Sequence, residues 1–290
     1  MRIIKSTRCL LVSVATLLLS VMAGATQINS GGVNLEIPNP TGFTAITPQM
    51  SAIYDGQTKF WPDSAVHYLT FIGDNEIPIA LKNEIPDMDR RLVVTTVKDV
   101  DGKNIRASDF SELKAFFKTQ QEQLIKQVEK AMPEAMDKQN DRMFGKSGAS
   151  IAVEVPQFKQ FPAHSETARS FAFSTMNKYT LTGTDGKATP MEVSVTSTWI
   201  HVRGRALQLY AFGEKDGLDW TREASKQWSE AILAANPPDE RSVALESGQK
   251  QDGGIDWMRS LVTGLIVAGV WGAFDFTRRK LAAPKSKDYC

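Results

Sequence analysis

Cysteine is almost absent from this chain of 290 residues: Cys9 and Cys290 stand near opposite ends. That excludes a disulfide-rich scaffold and any zinc site built on cysteine. Histidine is scarce too, with His67, His164 and His201 forming neither an HExxH motif nor an i, i+4 pair, so no helical metal-binding pair is present. A formal net charge of +1 gives no general attraction to nucleic acid, and none is expected as a partner. There is no N-x-S/T acceptor, because Asn39-Pro40-Thr41 carries Pro in the middle position. With so few cysteines, that absence points to a bacterial envelope rather than a eukaryotic secretory route.

What is present is concentrated at the ends. Arg2, Lys5 and Arg8 precede an apolar run from Cys9 to Met22, and Ala23-Gly24-Ala25 supplies an A-x-A cleavage site. Residues 1–25 therefore read as a signal peptide. Near the other end, Ser260 to Phe274 contains no charge and lies between Arg259 and Asp275. As a helix it is roughly 22 Å long, short of a ~30 Å hydrocarbon core, but Trp257, Met258 and Phe276 extend it. Residues 255–277 are thus expected to span a membrane once. Arg278, Arg279, Lys280, Lys285 and Lys287 follow, so the positive-inside rule puts a basic tail, 278–290, in the cytoplasm. The expected address is a bacterial inner membrane, with the N-terminal domain in the periplasm. Ser260, Gly264, Ala268 and Gly272 recur every fourth residue, a small-residue stripe suited to transmembrane association with a like helix or a partner.

Each end carries a net +3, which leaves residues 26–254 at −5. Residues 237–254 are polar, aperiodic and rich in Gly and Pro, and read as a flexible linker. The expected folded domain is 26–236. Short strands are expected at 34–37, 43–46, 65–72 and 92–97. A long helix starts at Ser108 or Asp109, buries Leu113, Phe116, Phe117, Leu124, Val128 and Met132, and is kinked or ended by Pro133. An antiparallel meander follows: 171–182 alternates, Asp185-Gly186 turns, 193–199 alternates, Arg203-Gly204 turns, and 207–211 alternates. A last helix, capped by Asp219, aligns Trp220, Ala224, Trp228, Ala231, Ile232 and Ala235 before Asn236-Pro237 stops it. The fold class is α+β: an antiparallel sheet covered by the long middle helix and the C-terminal amphipathic helix, an α-β-α sandwich, plus one transmembrane helix.

The opening NLEIPNPTGF, Asn34 to Phe43, is similar to the start of PsbP-like and DcrB-like exported domains. The closing LQLYAF and LDWTREASKQWSEAILAAN, Leu207 to Asn236, resemble their last strand and helix. That resemblance implies an α-β-α sandwich used for binding and assembly, and carries no site residues.

Patterns for catalysis fall short. Gly145-Lys146-Ser147 lacks the phosphate-loop Gly, Asn140 standing in its place, and follows a helix instead of a strand. The same segment fails as a nucleophile elbow. Asp99-x-Asp101-Gly102 lacks the oxygen positions of a calcium loop. No catalytic, cofactor or metal residues are assigned. Trp61, Trp220 and Trp228 are candidates for a hydrophobic ligand groove, although the last two have core spacing. Arg203 and Arg205 flank a turn and are candidates for partner contact. The leading expectation is a membrane-anchored, non-catalytic binding or assembly module with a protein partner or self-association. The alternatives are a domain binding lipid or a small hydrophobic ligand, and a hydrolase whose site is assembled around His67, His164 or His201 with a distant Ser and acid.

Overall fold

The computed structural model describes residues 24–144, 152–153, 157–182, 188–214, 217–239 and 255–282. The elements run β1 Ala25–Ser30, β2 Val33–Pro38, β3 Phe43–Ala45, α1 Ser51–Phe60, β4 Ala65–Gly73, α2 Ile77–Ala80, β5 Arg90–Val97 and α3 Ala107–Phe144. Then come β6 Ala152–Val153, β7 Gln157–Gln160, β8 Ser165–Glu166, β9 Ser170–Thr182, β10 Ala188–Val202, β11 Arg205–Glu214, α4 Leu218–Ala235 and α5 Trp257–Ala282. Nearly all of the expected signal peptide, most of the linker, the Gly145–Ser147 loop, the Asp185-Gly186 turn and residues 283–290 lie outside the described residues.

Among the described residues one nine-stranded antiparallel sheet runs β3-β4-β5-β11-β10-β9-β6, with β7 and β8 also pairing β9. Its centre is the expected meander: β9 pairs β10 from Ser170↔Ile200 to Thr182↔Ala188, and β10 pairs β11 from Val193↔Glu214 to Val202↔Arg205. The β10–β11 turn has two residues, Arg203 and Gly204, at φ 48° and 72°. Positive φ at both central positions matches the right-handed strand twist, and the Gly takes it without strain.

Alternation along the strands makes two apolar faces. On one, Phe71, Leu92, Val94, Ile200, Leu207 and Leu209 pack against Trp228 and Ile232 of α4 and against the β1–β2 hairpin. The hairpin, a separate two-stranded sheet, is tied down by named groups. Asn236 Nδ2 donates to the Glu36 carbonyl at 2.6 Å, Glu36 N donates to Asn236 Oδ1 at 2.8 Å, and Trp228 Nε1 donates to the Pro38 carbonyl at 2.9 Å. At its turn Gly31 (φ 53°) lies against Gly102, and a Cβ there would run into the Gly102 backbone.

On the other face, Val93, Phe173, Val195, Trp199, Tyr210 and Phe212 pack beneath α3 and α5. Most of the expected α3 stripe is buried, namely Leu113, Phe117, Leu124, Val128 and Met132, with Phe110 and Met136 added, while Phe116 is half-buried at its edge. Asp109 is not the N-cap. It sits in the first turn and accepts hydrogen bonds from Arg106 N and Nε, both at 3.0 Å, the return half of a capping arrangement. Nor does Pro133 end α3. The helix continues to Phe144, and its non-helical residue is Gln120.

The transmembrane helix is corrected. Among the described residues no helix is long and apolar enough to cross a membrane. Single-pass anchoring and the inner-membrane address inferred from it therefore lose their basis. The apolar residues of α5 have another use. Trp257, Leu261, Leu265, Val267 and Val270 join the same core cluster as Val128, Met132 and Met136 of α3. A charge-free stretch of about 22 Å fits an interior groove better than a ~30 Å hydrocarbon core. The architecture is therefore α+β with an antiparallel sheet between helical layers, α5 being one of the layers.

Candidate functional site

The small-residue stripe lies against the chain's own sheet. Ser260, Gly264 and Ala268 are buried, while Gly272 belongs to the same helix further along. A Cβ on Gly264 would come within 2.5 Å of the Gln208 amide, and one on Gly269 within 2.6 Å of the Met132 methyl. Tyr210 Oη donates to the Gly264 carbonyl at 2.7 Å, and Tyr179 Oη donates to the Gly269 carbonyl at 2.6 Å. Burial pushes both phenols well above their ordinary pKa, so each remains a donor.

The sheet face beneath α3 and α5 is not purely apolar. Thr175 Oγ1, Asn177 Oδ1, Ser197 Oγ, Trp199 Nε1 and Gln208 Oε1 are buried on it without a hydrogen-bond partner, as is Ser260 Oγ on the helix. Strand pairing sets Trp199 opposite Gln208 and Ser197 opposite Tyr210, so these groups share a face with the two tyrosines. Each such orphan costs about 1–3 kcal/mol. Each large apolar side chain that α5 buries returns a similar ~1.5–3 kcal/mol. The two contributions are of the same order.

The other sequence candidates have structural partners. Trp61 is buried and stacks on His67 at 5.0 Å. Arg203 bonds the Asp239 carboxylate and, through Nη1 at 3.0 Å, the Asn34 carbonyl. Arg205 is 2% exposed and donates to the carbonyls of Ser30 (2.9 Å), Gly31 (2.9 Å) and Lys103 (3.0 Å), clasping the β1–β2 turn. Trp220 and Trp228 serve the α4 face.

The histidines occupy three separate places. His67 Nε2 lies 2.8 Å from Oγ1 of Thr70, which is 2% exposed, and Trp61 stacks on one face of the half-buried imidazole. Desolvation lowers the His67 pKa to about 4, against a weaker opposing effect of the Leu69 backbone. His201 bonds the Ile105 carbonyl at 2.6 Å and stacks on Phe110. Burial and the nearby Arg222 lower the pKa of His164. Among the described residues no group of three His, Cys, Asp or Glu is placed to hold a metal ion.

Among the described residues, concavities open at two places on the surface. One, of about 340 Å³, lies between α3, α5 and the 62–64 segment, with Ala131, Ala135, Ile266 and Val270 in its wall. Its charges are paired internally, Lys138 with Glu134 at 2.6 Å and Arg142 with Asp63 at 2.5 Å.

The other, of about 540 Å³, is lined by Gly42, Phe43, Gly73, Asn75, Glu76, Ile79, Asp87, Asp89 and Arg90. The Phe43↔Gly73 pairing of β3 with β4 brings its first two segments together. Glu76 fixes the third: its Oε2 accepts from Gly73 N at 2.9 Å and its Oε1 accepts from Met88 N. Met88 is buried at φ 45° and Asn83 sits at φ 59°, a backbone region that side-chain-bearing residues enter only when held there. The Arg90 guanidinium lies over Trp220, 4.9 Å from the ring centre. Ile79, 40% exposed, lines the cleft, and Leu81, 52% exposed, follows on the same segment; they are the large exposed hydrophobics among the described residues. The sequence carries a signal for this site, since GDNEIPIALKNEIPDMD (73–89) mixes acids with apolar residues and two prolines outside any expected strand or helix.

No family model matches the chain, and no curated protein matches it. Among solved structures it is similar to the Ran-binding protein Mog1p of Saccharomyces cerevisiae. Identity is 10% and the TM-score 0.29, over 77% of this chain and 98% of that one. A mutant of the protein Mog1 matches at 12% identity and TM-score 0.23, over 73% of this chain and 93% of that one. At those scores the likeness bears on neither fold nor function.

Proposed function

We propose that the protein is a non-catalytic binding module that docks a protein partner in the acidic cleft at the β3–β4–β5 end of the sheet. The partner segment is basic and carries an apolar residue. The observation behind this reading is the meeting of Glu76, Asp87 and Asp89 with exposed Ile79 in one concavity of about 540 Å³. Carboxylates steer a cationic segment into the cleft. Ile79 and Leu81 offer the dry contact that a charged rim alone cannot supply. Apolar residues this exposed on a short, backbone-restrained segment are what an interaction surface requires.

The test is fluorescence anisotropy with short labelled peptides, one Lys/Arg-rich with a central Leu, one with the charges replaced by Glu, and one basic without the Leu. The expected order of affinity is basic with Leu, then basic without it, then acidic. Ile79→Asp weakens the first peptide at least tenfold, and Asp87→Lys weakens both basic ones. Equal binding of acidic and basic peptides, or indifference to both substitutions, overturns the reading.

A further inference from the structure

We propose that α5 is a displaceable cover: it leaves the sheet as a unit while the strands stay paired, opening a hydrogen-bonding surface built from β9, β10 and β11. The placement of polar atoms carries this. A face meant to be permanently dry is apolar or has its polar groups paired. Here Thr175, Asn177, Ser197, Trp199 and Gln208 each hold at least one polar atom with no partner while α5 is in place, and all five are at most 1% exposed. The Gln208 amide is aimed at the helix, its atoms 2.5–3.0 Å from where a Gly264 Cβ would stand. With the helix lifted, water reaches the Gln208 amide, which packs on Gly264.

The opposite face of the sheet is built differently. There Ser174 lies 2.9 Å from Thr196, Thr196 donates to Thr221 at 2.9 Å, and Thr198 lies 2.5 Å from Ser225. Three of the hydroxyls under α4 thus join a chain that ends in hydroxyls of α4, with Ser194 on the same face left unpaired, whereas no side chain of α5 bonds Thr175, Asn177, Ser197, Trp199 or Gln208. The sheet holds α5 through Tyr179 and Tyr210, whose hydroxyls bond carbonyls of the helix backbone. The rest of its attachment is apolar packing on the strands and on α3, and no charge of α5 within 257–270 is buried, Arg259 being exposed beside Asp99. Opening therefore strands no buried ion.

Hydrogen exchange on the full chain, followed by mass spectrometry, tests the proposal. Amides of 260–270 should exchange at least a hundredfold faster than those of 194–200 and 207–212, at a rate that rises with denaturant well below the unfolding midpoint but less steeply than that of the strands. That pattern is opening of one element, not global unfolding. Thr175→Val, Ser197→Ala and Gln208→Met each remove an orphan and should slow exchange of 260–270 severalfold without slowing the strands. Coincident exchange of α5 with β10 and β11 in the unmutated protein overturns the proposal, and so does faster α5 exchange in the apolar variants. The comparison within the unmutated chain decides the matter even where a variant fails to fold.

Discussion

At the residue scale, His67 is half-buried and held neutral. Trp61 stacks on one face, Thr70 holds Nε2, and desolvation lowers its pKa to about 4. An unfolded histidine titrates near 6.5. Above that pH both states are neutral and the residue adds no pH dependence. As pH falls below about 6.5 the unfolded chain takes up a proton that the folded chain refuses until about 4, so stability declines across that window. The limit of the loss is about 3 kcal/mol. Denaturant midpoints at pH 7.5, 5.5 and 4.5 should fall more steeply for the unmutated protein than for His67→Gln; parallel curves contradict the assignment. Arg205 shows the opposite solution to burial, keeping its charge by donating to several backbone carbonyls at once. Its neighbour in sequence, Gly204, marked it as a turn residue, and nothing local marked it as a clasp, because its acceptors lie at residues 30, 31 and 103.

At the scale of elements, α3 offers a separable prediction. Pro133 is exposed on a helix that runs to Phe144. It withholds an amide from the Glu129 carbonyl and presses its ring on the preceding turn. Pro133→Ala should stabilise the protein by about 1–3 kcal/mol, less what the unfolded chain gains in freedom, seen as a raised Tm; a lowered Tm contradicts this. Strands β9 to β11 and the α3 stripe were legible because alternation and helical spacing are local properties. The nature of α5 was not. An uncharged stretch of fifteen residues is the signature of a membrane span and of a buried helix alike, and they differ by what surrounds it. What surrounds α5 is Met132, Met136, Tyr179 and Tyr210, from segments far along the chain. Strand β1 was missed for a related reason, since Ala25 is its first residue and also ends the expected cleavage site. The acidic cleft escaped because its three stretches, 42–43, 73–79 and 87–90, become one surface only when β3 pairs with β4 and Glu76 bonds Met88.

At the scale of the whole molecule, charge is distributed rather than merely balanced. The basic residues at the two ends offset a body of −5 over 26–254, and the cleft gathers Glu76, Asp87 and Asp89 at one end of the sheet. For a basic partner, such a field acts first on encounter: it raises the association rate, and salt removes that gain as the Debye length falls from about 14 Å at 0.05 M to near 5 Å at 0.4 M. Ile79 and Leu81 act after encounter, through a dry contact that salt does not screen. The two contributions therefore separate kinetically. In stopped-flow measurements with the basic, Leu-bearing peptide, raising salt over that range should cut the association rate severalfold and change dissociation little. Ile79→Asp should do the reverse, speeding dissociation while leaving the slope of association against salt in place. If salt and Ile79→Asp change the same rate constant to the same degree, steering and contact are not separate, and the cleft is not the place where a cationic segment is first drawn in.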